Sequence, residues 1–434
     1  MPPKVGQIPG FKGMDNVQVF SQDLSTPRVI LNADVKKSGQ LKKRSGFTKV
    51  FSLTNGHSLY AASKYMLLAD GTALSRTDGV TNTVISGAIG VPLEGLFYAE
   101  VNGIVYMSNK WWSRALDLAT DTQRQWGITP PEQPVLSAGA GNLPPGIYNV
   151  CYTQMVGARM SGNGPLAKIT LFTEGGIVCS NLPVGGVVWI TEPYGEQLLY
   201  AGTAATVVAL PTTIELLPSL WCQPPPALEN IALGLGRIWG SVGEYLYYSM
   251  PFGYEWFRVT TDFFYFSSPI TMIAPVAGGV FVGFENDTLF LDGTTVKEMT
   301  EIRVGSGVVK GSLAYADKFG DLKNNSFTML GNLDSGIPMW LGKYGVFAGM
   351  HNGTVIEVTE RKLRFDSGTR AASLFRMKEG IPQYLASMTQ PNVVGFGDQV
   401  TVDVIRNGRV FLGDFEDKNR DFIGVTDSVI ATIT

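Results

Sequence analysis

Two histidines and three cysteines in 434 residues leave little material for side-chain chemistry. His57 precedes an apolar segment and His351 sits beside Asn352-Gly353. Neither has a Cys, Asp or Glu at zinc-ligand spacing, so both read as turn or surface residues. Cys151, Cys179 and Cys222 form neither a disulfide framework nor a metal-ligand pattern and read as buried free thiols, although Cys151 and Cys179 fall in one segment and could approach each other. Gly234-Leu235-Gly236-Arg237 and Gly305-Ser306-Gly307 are glycine-rich, but no helical pattern follows either, so they read as turns or bulges and not as phosphate cradles. Acidic residues are scattered, with no cluster suited to paired-carboxylate work. No catalytic, metal or cofactor-binding residue is nominated, and the chain is expected not to be an enzyme.

Three segments could serve binding. Lys36-Lys37 with Lys42-Lys43-Arg44 is the densest basic run; it reads as a solvated strand face, or as a contact for an acidic partner or nucleic acid. Between Tyr245 and Phe266 lie Tyr247, Tyr248, Phe252, Tyr254, Trp256, Phe257, Phe263, Phe264 and Tyr265, expected mostly in packing and partly at an interface. Val308–Ser335, with Lys310, Lys318, Asp321 and Lys323, reads as a long connection or as a loop reaching a partner.

The elements that must position these residues are strands. With 51 Gly, 24 Pro and 11% aromatics, no long amphipathic period survives without an early Gly or Pro. A net charge of −3 argues against a tight DNA binder but not against a wall that DNA slides past. The first six residues lack the apolar core of a signal peptide and no apolar run is long enough to span a bilayer, so a protein made in a cytoplasm is expected.

One phrase recurs: a strand, a two-residue turn, then a second strand opening on apolar residues. The turns are Asp70-Gly71, Asn102-Gly103, Gly243-Glu244, Asn286-Asp287, Asn352-Gly353 and Asn407-Gly408. Asn-Gly and Asp-Gly favour tight hairpins because they tolerate positive φ at both central positions. Six such hairpins predict an all-β, six-bladed β-propeller, with five or seven blades as alternatives. Propellers include glycosidases, but the nearest Asp-box match, Ser75–Thr81, has the wrong spacing, no Trp and no second copy. The WD40 signatures are absent as well.

The interval from Gly103 to Glu244 is too long for one blade. Pro130-Pro131-Glu132-Gln133-Pro134 and Gln223-Pro224-Pro225-Pro226 bracket it as stiff hinges. Strand patterns at 144–153, 168–172, 187–191, 197–201 and 206–210 predict an inserted fibronectin- or Ig-like β-sandwich. The expected organisation is an extended arm at 1–30, propeller at 31–130, sandwich at 131–222 and propeller at 223–434.

Three stretches in this order resemble the tail nozzle proteins of short-tailed bacteriophages, also labelled phage stabilisation or tail accessory proteins. They are Gly13–Val17 with Leu31–Phe47; Gly146–Thr153 through Ser161-Gly162-Asn163-Gly164-Pro165; and Gly236-Arg237-Ile238-Trp239 through Tyr247-Tyr248-Ser249-Met250-Pro251-Phe252. The resemblance implies a virion protein acting without cofactors. It would form a homo-oligomeric ring, expected to be a hexamer, at the distal end of a short tail. Its partners would be the tail adaptor or head-to-tail connector and fibre, spike or needle proteins, with viral DNA passing transiently and no membrane insertion. A glycan-binding or glycan-cleaving tail propeller is the alternative, and a cellular scaffolding propeller is a third reading.

Overall fold

The computed structural model describes residues 33–35, 38, 40–43, 52–86, 95–212, 214–316, 336–343, 345–359, 369–378, 381–389, 399–405 and 409–414. The extended arm expected at 1–30, and Lys36, Lys37, Arg44, Lys318, Asp321, Lys323 and Asn407-Gly408, lie outside these residues.

Six sheets of the same plan follow one another, each an antiparallel meander in sequence order. They form the blades of a propeller: blade 1 (residues 56–86), blade 2 (97–125), blade 3 (229–265), blade 4 (272–306), blade 5 (314–357) and blade 6 (370–414). In blade 3 the outer position is shared, because Gly253–Phe257 pairs with one end of Tyr245–Met250 and Phe263–Tyr265 with the other. A short hairpin of Ala33–Val35 and Leu41–Lys43 stands apart from the blades.

Period-2 alternation builds the ring. In blade 4, Ile273, Val280 and Val282 face a cluster shared with Trp239, Leu246 and Tyr248 of blade 3. The alternate residues Met272, Ala274, Val276 and Phe281 face a cluster that includes Trp340 of blade 5. Blade 2 divides the same way: Val105, Met107 and Leu116 pack on blade 1, while Ala99, Tyr106 and Ala115 pack on blade 3. A blade buried on both faces needs apolar residues at successive positions, so Met272–Val276 and Gly279–Gly283 are buried throughout.

The turn phrase marks each of the five blades in which it is described, but not at one equivalent place. It joins the second and third strands in blades 1, 3 and 4, the first and second in blade 2, and the third and fourth in blade 5. Among the described turns, only Asn102-Gly103 shows positive φ at both predicted turn residues, 53° and 74°. In blade 1 the register pairs Asp70 with Ala73, so the turn residues are Gly71 and Thr72, one later than expected.

Between blades 2 and 3 the chain builds the sandwich. One sheet holds Leu136–Leu143, Gly175–Cys179 and Thr206–Val207. The other is centred on Gly146–Val156, with Ala167–Leu171, Gly186–Ile190 and Leu199–Gly202. Tyr148, Val150, Tyr152 and Val188 meet Ile177 and Cys179 between the sheets. Cys151 points the other way, towards Trp189, Leu198 and Leu217, so it and Cys179 occupy opposite faces of the central strand and do not pair. Burial pushes the Cys151 thiol up to about 12 and the Cys222 thiol to about 11. The folded state therefore keeps these protons where the unfolded chain releases them. The associated stability is full below the ordinary value of 9 and is lost as pH rises towards 12. At pH 8 a disulfide reagent should label no thiol until denaturant is added; labelling of all three in the native protein would contradict the buried placement.

Candidate functional site

Residues in, or just before, the first strand of each blade line one cavity of about 280 Å³. Backbone geometry shapes it. Ser58, Asn230 and Gly311, which line it from blades 1, 3 and 5 or just before their first strands, have φ of 54°, 52° and 83°. Left-handed backbone at alternate blades turns each inner strand so that it can bond to the next one. The Leu96 amide donates to Ser58 Oγ at 2.7 Å, Asn230 Nδ2 donates to the Ile270 carbonyl at 3.0 Å, and the Ala371 amide donates to the Lys310 carbonyl at 2.8 Å. These bonds pin blade 1 to 2, 3 to 4 and 5 to 6.

Buried hydroxyls and phenols complete the girdle. Ser108 Oγ accepts from the Leu228 amide at 2.8 Å, joining blade 2 to the strand entering blade 3. Tyr98 donates to the Ser58 carbonyl and Tyr384 to the Ser312 carbonyl. Burial raises the ordinary values of both phenols. Replacing Ser108 with Ala would strand the buried Leu228 amide, and the expected loss is about 1–3 kcal/mol in a denaturant melt. An unchanged midpoint would remove the pin from this account.

His57, expected at a surface turn, is instead 2% exposed. Its Nε2 lies 2.8 Å from the Gly71 carbonyl, which can only accept, so that nitrogen donates. Nδ1 then accepts from Ser58 Oγ, whose oxygen also takes the Leu96 amide. The imidazole is a buried brace between the first hairpin and blade 2. His351 places its backbone against Gly278 of blade 4.

An ion pair links the inner strands. Lys310, entering blade 5, reaches across blade 4's sector to Glu229 of blade 3, Nζ to Oε1 2.9 Å, and lies 5.8 Å from the Phe97 ring of blade 2. Val308 and Val309 beside it are buried, so the described start of the Val308–Ser335 segment is wedged between blades rather than extended from them.

A second cluster fixes the sandwich to the propeller. Glu255 on the outer strand of blade 3 accepts from Arg124 of blade 2 at 3.1 Å and from Arg159 of the sandwich at 2.6 Å. Trp256 Nε1 donates to the Met160 carbonyl, and Arg258 Nε to the Leu220 carbonyl. The two Pro-rich connections, expected as hinges, are held: Gly127 abuts Pro224, Gly164 abuts Pro131, and Asn181 Nδ2 donates to the Gln133 carbonyl at 2.9 Å.

A third feature is an aromatic face on blade 3. Tyr245 pairs across the strands with Tyr265, and Tyr247 with Phe263. Ring centroids lie 5.2 and 5.9 Å apart in these pairs. Tyr265 is 62% exposed and Tyr245 37%, whereas Leu246 and Tyr248 on the opposite face are core.

No family model and no curated protein matches the sequence. Solved structures similar to the chain include the WD40 domain of SCAP from fission yeast, at 9% identity, covering 86% of this chain and 73% of that one, with a TM-score of 0.33. BBS1N in complex with ARL6DN shares 10% identity, with coverage of 85% and 92% and a TM-score of 0.29. The N-terminal domain of Nup159 shares 11%, with coverage of 82% and 75% and the same TM-score. The blade assignment rests on the sheets, their register and the clusters between them.

Of the segments singled out in the sequence, Lys42 and Lys43 sit exposed on the isolated hairpin, as a solvated strand would. Asp78 of the Asp-box-like stretch accepts from the Val80 and Thr81 amides, closing a turn and holding its carboxyl below the usual value. Among the described residues, no three His, Cys, Asp or Glu side chains converge as metal ligands, and no helix is long and apolar enough to cross a membrane. Glu229, Glu255, Arg124 and Arg159 were not singled out in the sequence, because their partners lie 81, 131 and 96 residues away and leave no local signal.

Proposed function

We propose that this chain is a structural virion protein, assembled as a ring that forms the nozzle at the distal end of a short phage tail. The ring closes the DNA channel before infection and forms the exit during ejection. The observation that carries this reading is the ordered resemblance of three stretches to tail nozzle proteins. The end of the second stretch, Ser161–Gly164, lies against Ser219, Trp221 and Cys222 at the junction with the propeller, and the third stretch leads into the strand whose Glu255 accepts from Arg159.

The fold suits a wall. A duplex whose major groove alone is about 12 Å wide is too broad for the cavity of about 280 Å³ between the inner strands, which Lys310 and Glu229 line. DNA would pass between copies, not through one propeller. The clamped sandwich gives each copy a rigid second body for neighbours, adaptor, fibre, spike or needle to hold. A net charge of −3 lets phosphates slide by without adhesion. No chemistry is required of any residue.

Electron microscopy of intact tails tests this, with a closed ring of copies at the distal end expected. A map placing one or two copies, or none, in the tail would refute it. The exposed Tyr245–Tyr265 face favours a second reading, a glycan-binding tail propeller, because sugars stack on aromatic rings. Specific binding of host polysaccharide by the pure protein, lost on Tyr265→Ala, with no ring in the tail, would replace the first reading with that one, and turnover would extend it to cleavage.

A further inference from the structure

We propose that the hairpin between the second and third strands of blade 2 binds single-stranded nucleic acid. Trp111 supplies the surface on which a base stacks, and Lys110 and Arg114 meet the phosphates beside it. The inference stands on this hairpin in a single chain and does not depend on the ring.

The hairpin joins Ile104–Ser108 to Ser113–Asp117 through Asn109-Lys110-Trp111-Trp112. Its shape is fixed from beneath. Asn109 is buried, its Oδ1 accepts from the Trp111 and Trp112 amides at 2.9 and 2.8 Å, and its own amide donates to the Trp112 carbonyl. Trp112 packs on the core between blades 1 and 2. Trp111 is held outside it, 59% exposed, so most of a large apolar ring stays in water.

Each indole carries a cation. Lys110 Nζ lies over the Trp111 ring, 5.2 Å from its centre, and Arg114 Cζ lies 5.7 Å from the centre of Trp112. Among the described residues, neither cation has a carboxylate within salt-bridge reach, and Arg114 donates to the Ser113 carbonyl. No acidic residue occurs from Ser108 to Leu116. An otherwise mildly acidic chain thus presents two uncompensated positive charges beside one exposed ring.

That combination selects a partner with phosphates and stacking rings. Lys110 covers one face of Trp111, so a ring on the other face must carry its anion on an arm that passes the edge of the indole. A nucleotide has that arm, because a sugar separates base from phosphate. In an acidic sugar the carboxylate is fixed to the stacking ring itself. A duplex keeps its bases stacked on one another and offers no free face. An anionic bilayer would also meet the equivalent turns of blades 3 and 4, which carry Glu244 and Glu285 at this end of the propeller. A single strand touches the basic hairpin alone.

Fluorescence anisotropy of a labelled short oligothymidylate, titrated with the full chain at low salt, tests this. Trp111→Ala should weaken binding about five- to a hundredfold, the loss of one stacked base. Trp111→Phe keeps a ring and should retain most of the affinity. Lys110→Gln should reduce the slope of log affinity against log salt by about 0.7, one phosphate contact on a single strand. A duplex of the same length, polygalacturonate and phosphatidylserine vesicles, added as competitors, should each displace the oligonucleotide more weakly than unlabelled oligothymidylate does. No binding at low salt, a Trp111→Ala variant that binds as tightly as wild type, or stronger displacement by duplex, acidic glycan or vesicles would overturn the proposal. None of these outcomes bears on the ring, which microscopy of tails reads separately.

Discussion

Replacing Trp239 with Ala is expected to cost about 3–5 kcal/mol and to lower the thermal midpoint more than any surface change in the chain. The indole is fully buried where blade 3 meets blade 4, its ring centroid 5.3 Å from that of Tyr248. Its neighbours Val280, Val282 and Leu291 belong to strands already hydrogen-bonded within blade 4. They cannot move inward to fill the space without breaking that sheet. A smaller part of the cost comes from losing the Nε1 donation to the half-buried Gly234 carbonyl at 3.0 Å. Because a propeller closes only when every interface holds, the loss should appear in one cooperative transition that includes the distant blades. A denaturant melt in which blade 1 reporters, such as Tyr60 stacked on Tyr98, keep the wild-type midpoint would contradict closure of the ring.

The second large effect is expected at Gly162. A Cβ there would overlap the Cys222 carbonyl, a backbone atom that cannot rotate away. Gly162→Ala must therefore displace the connection returning from the sandwich to blade 3. That movement strains the Trp221 amide bond to Asn163 Oδ1 at 2.6 Å and the Ser219 bond to the Ser161 carbonyl at 2.8 Å. The cost should reach or exceed about 3 kcal/mol, the upper part of the range for overpacking. The damage should be local to the junction. Limited proteolysis should cut near 127–134 and 221–226 while both bodies stay folded. A variant as resistant as wild type would show that the junction relaxes without loss. Ala at Gly157, where positive φ meets open space, is the control for backbone strain alone.

How much of this was legible beforehand depended on the range of the interaction. Turns and alternation act over a few residues, and they marked the hairpins and the long interval between Gly103 and Glu244. They could not place each turn within its blade, because every meander contains three equivalent hairpins and any of them can carry the tight turn. The variable intervals between turns reflect that shift, as in blade 5, where the phrase moves to the last hairpin. Within the sandwich, Gly186–Ile190 announced itself by consecutive apolar residues. Leu136–Leu143 did not: its Ser, Ala, Gly and Asn positions show no hydrophobic period, and pairing with Gly175–Cys179 makes it a strand.

By itself, then, the amino-acid order determined the all-β class, the repeated hairpin and the presence of an insertion, since each follows from local backbone preference and side-chain periodicity. Only the tertiary structure decided that His57 is a buried brace, that Cys151 and Cys179 face apart, and that the Pro-rich connections are held. It alone brought Lys310 to Glu229 and two arginines to Glu255. Those encounters join residues from different blades, and their energies exist only after the sheets have closed around one axis. Coulomb attraction and burial depend on distance in space, which the order of residues along a chain does not encode locally.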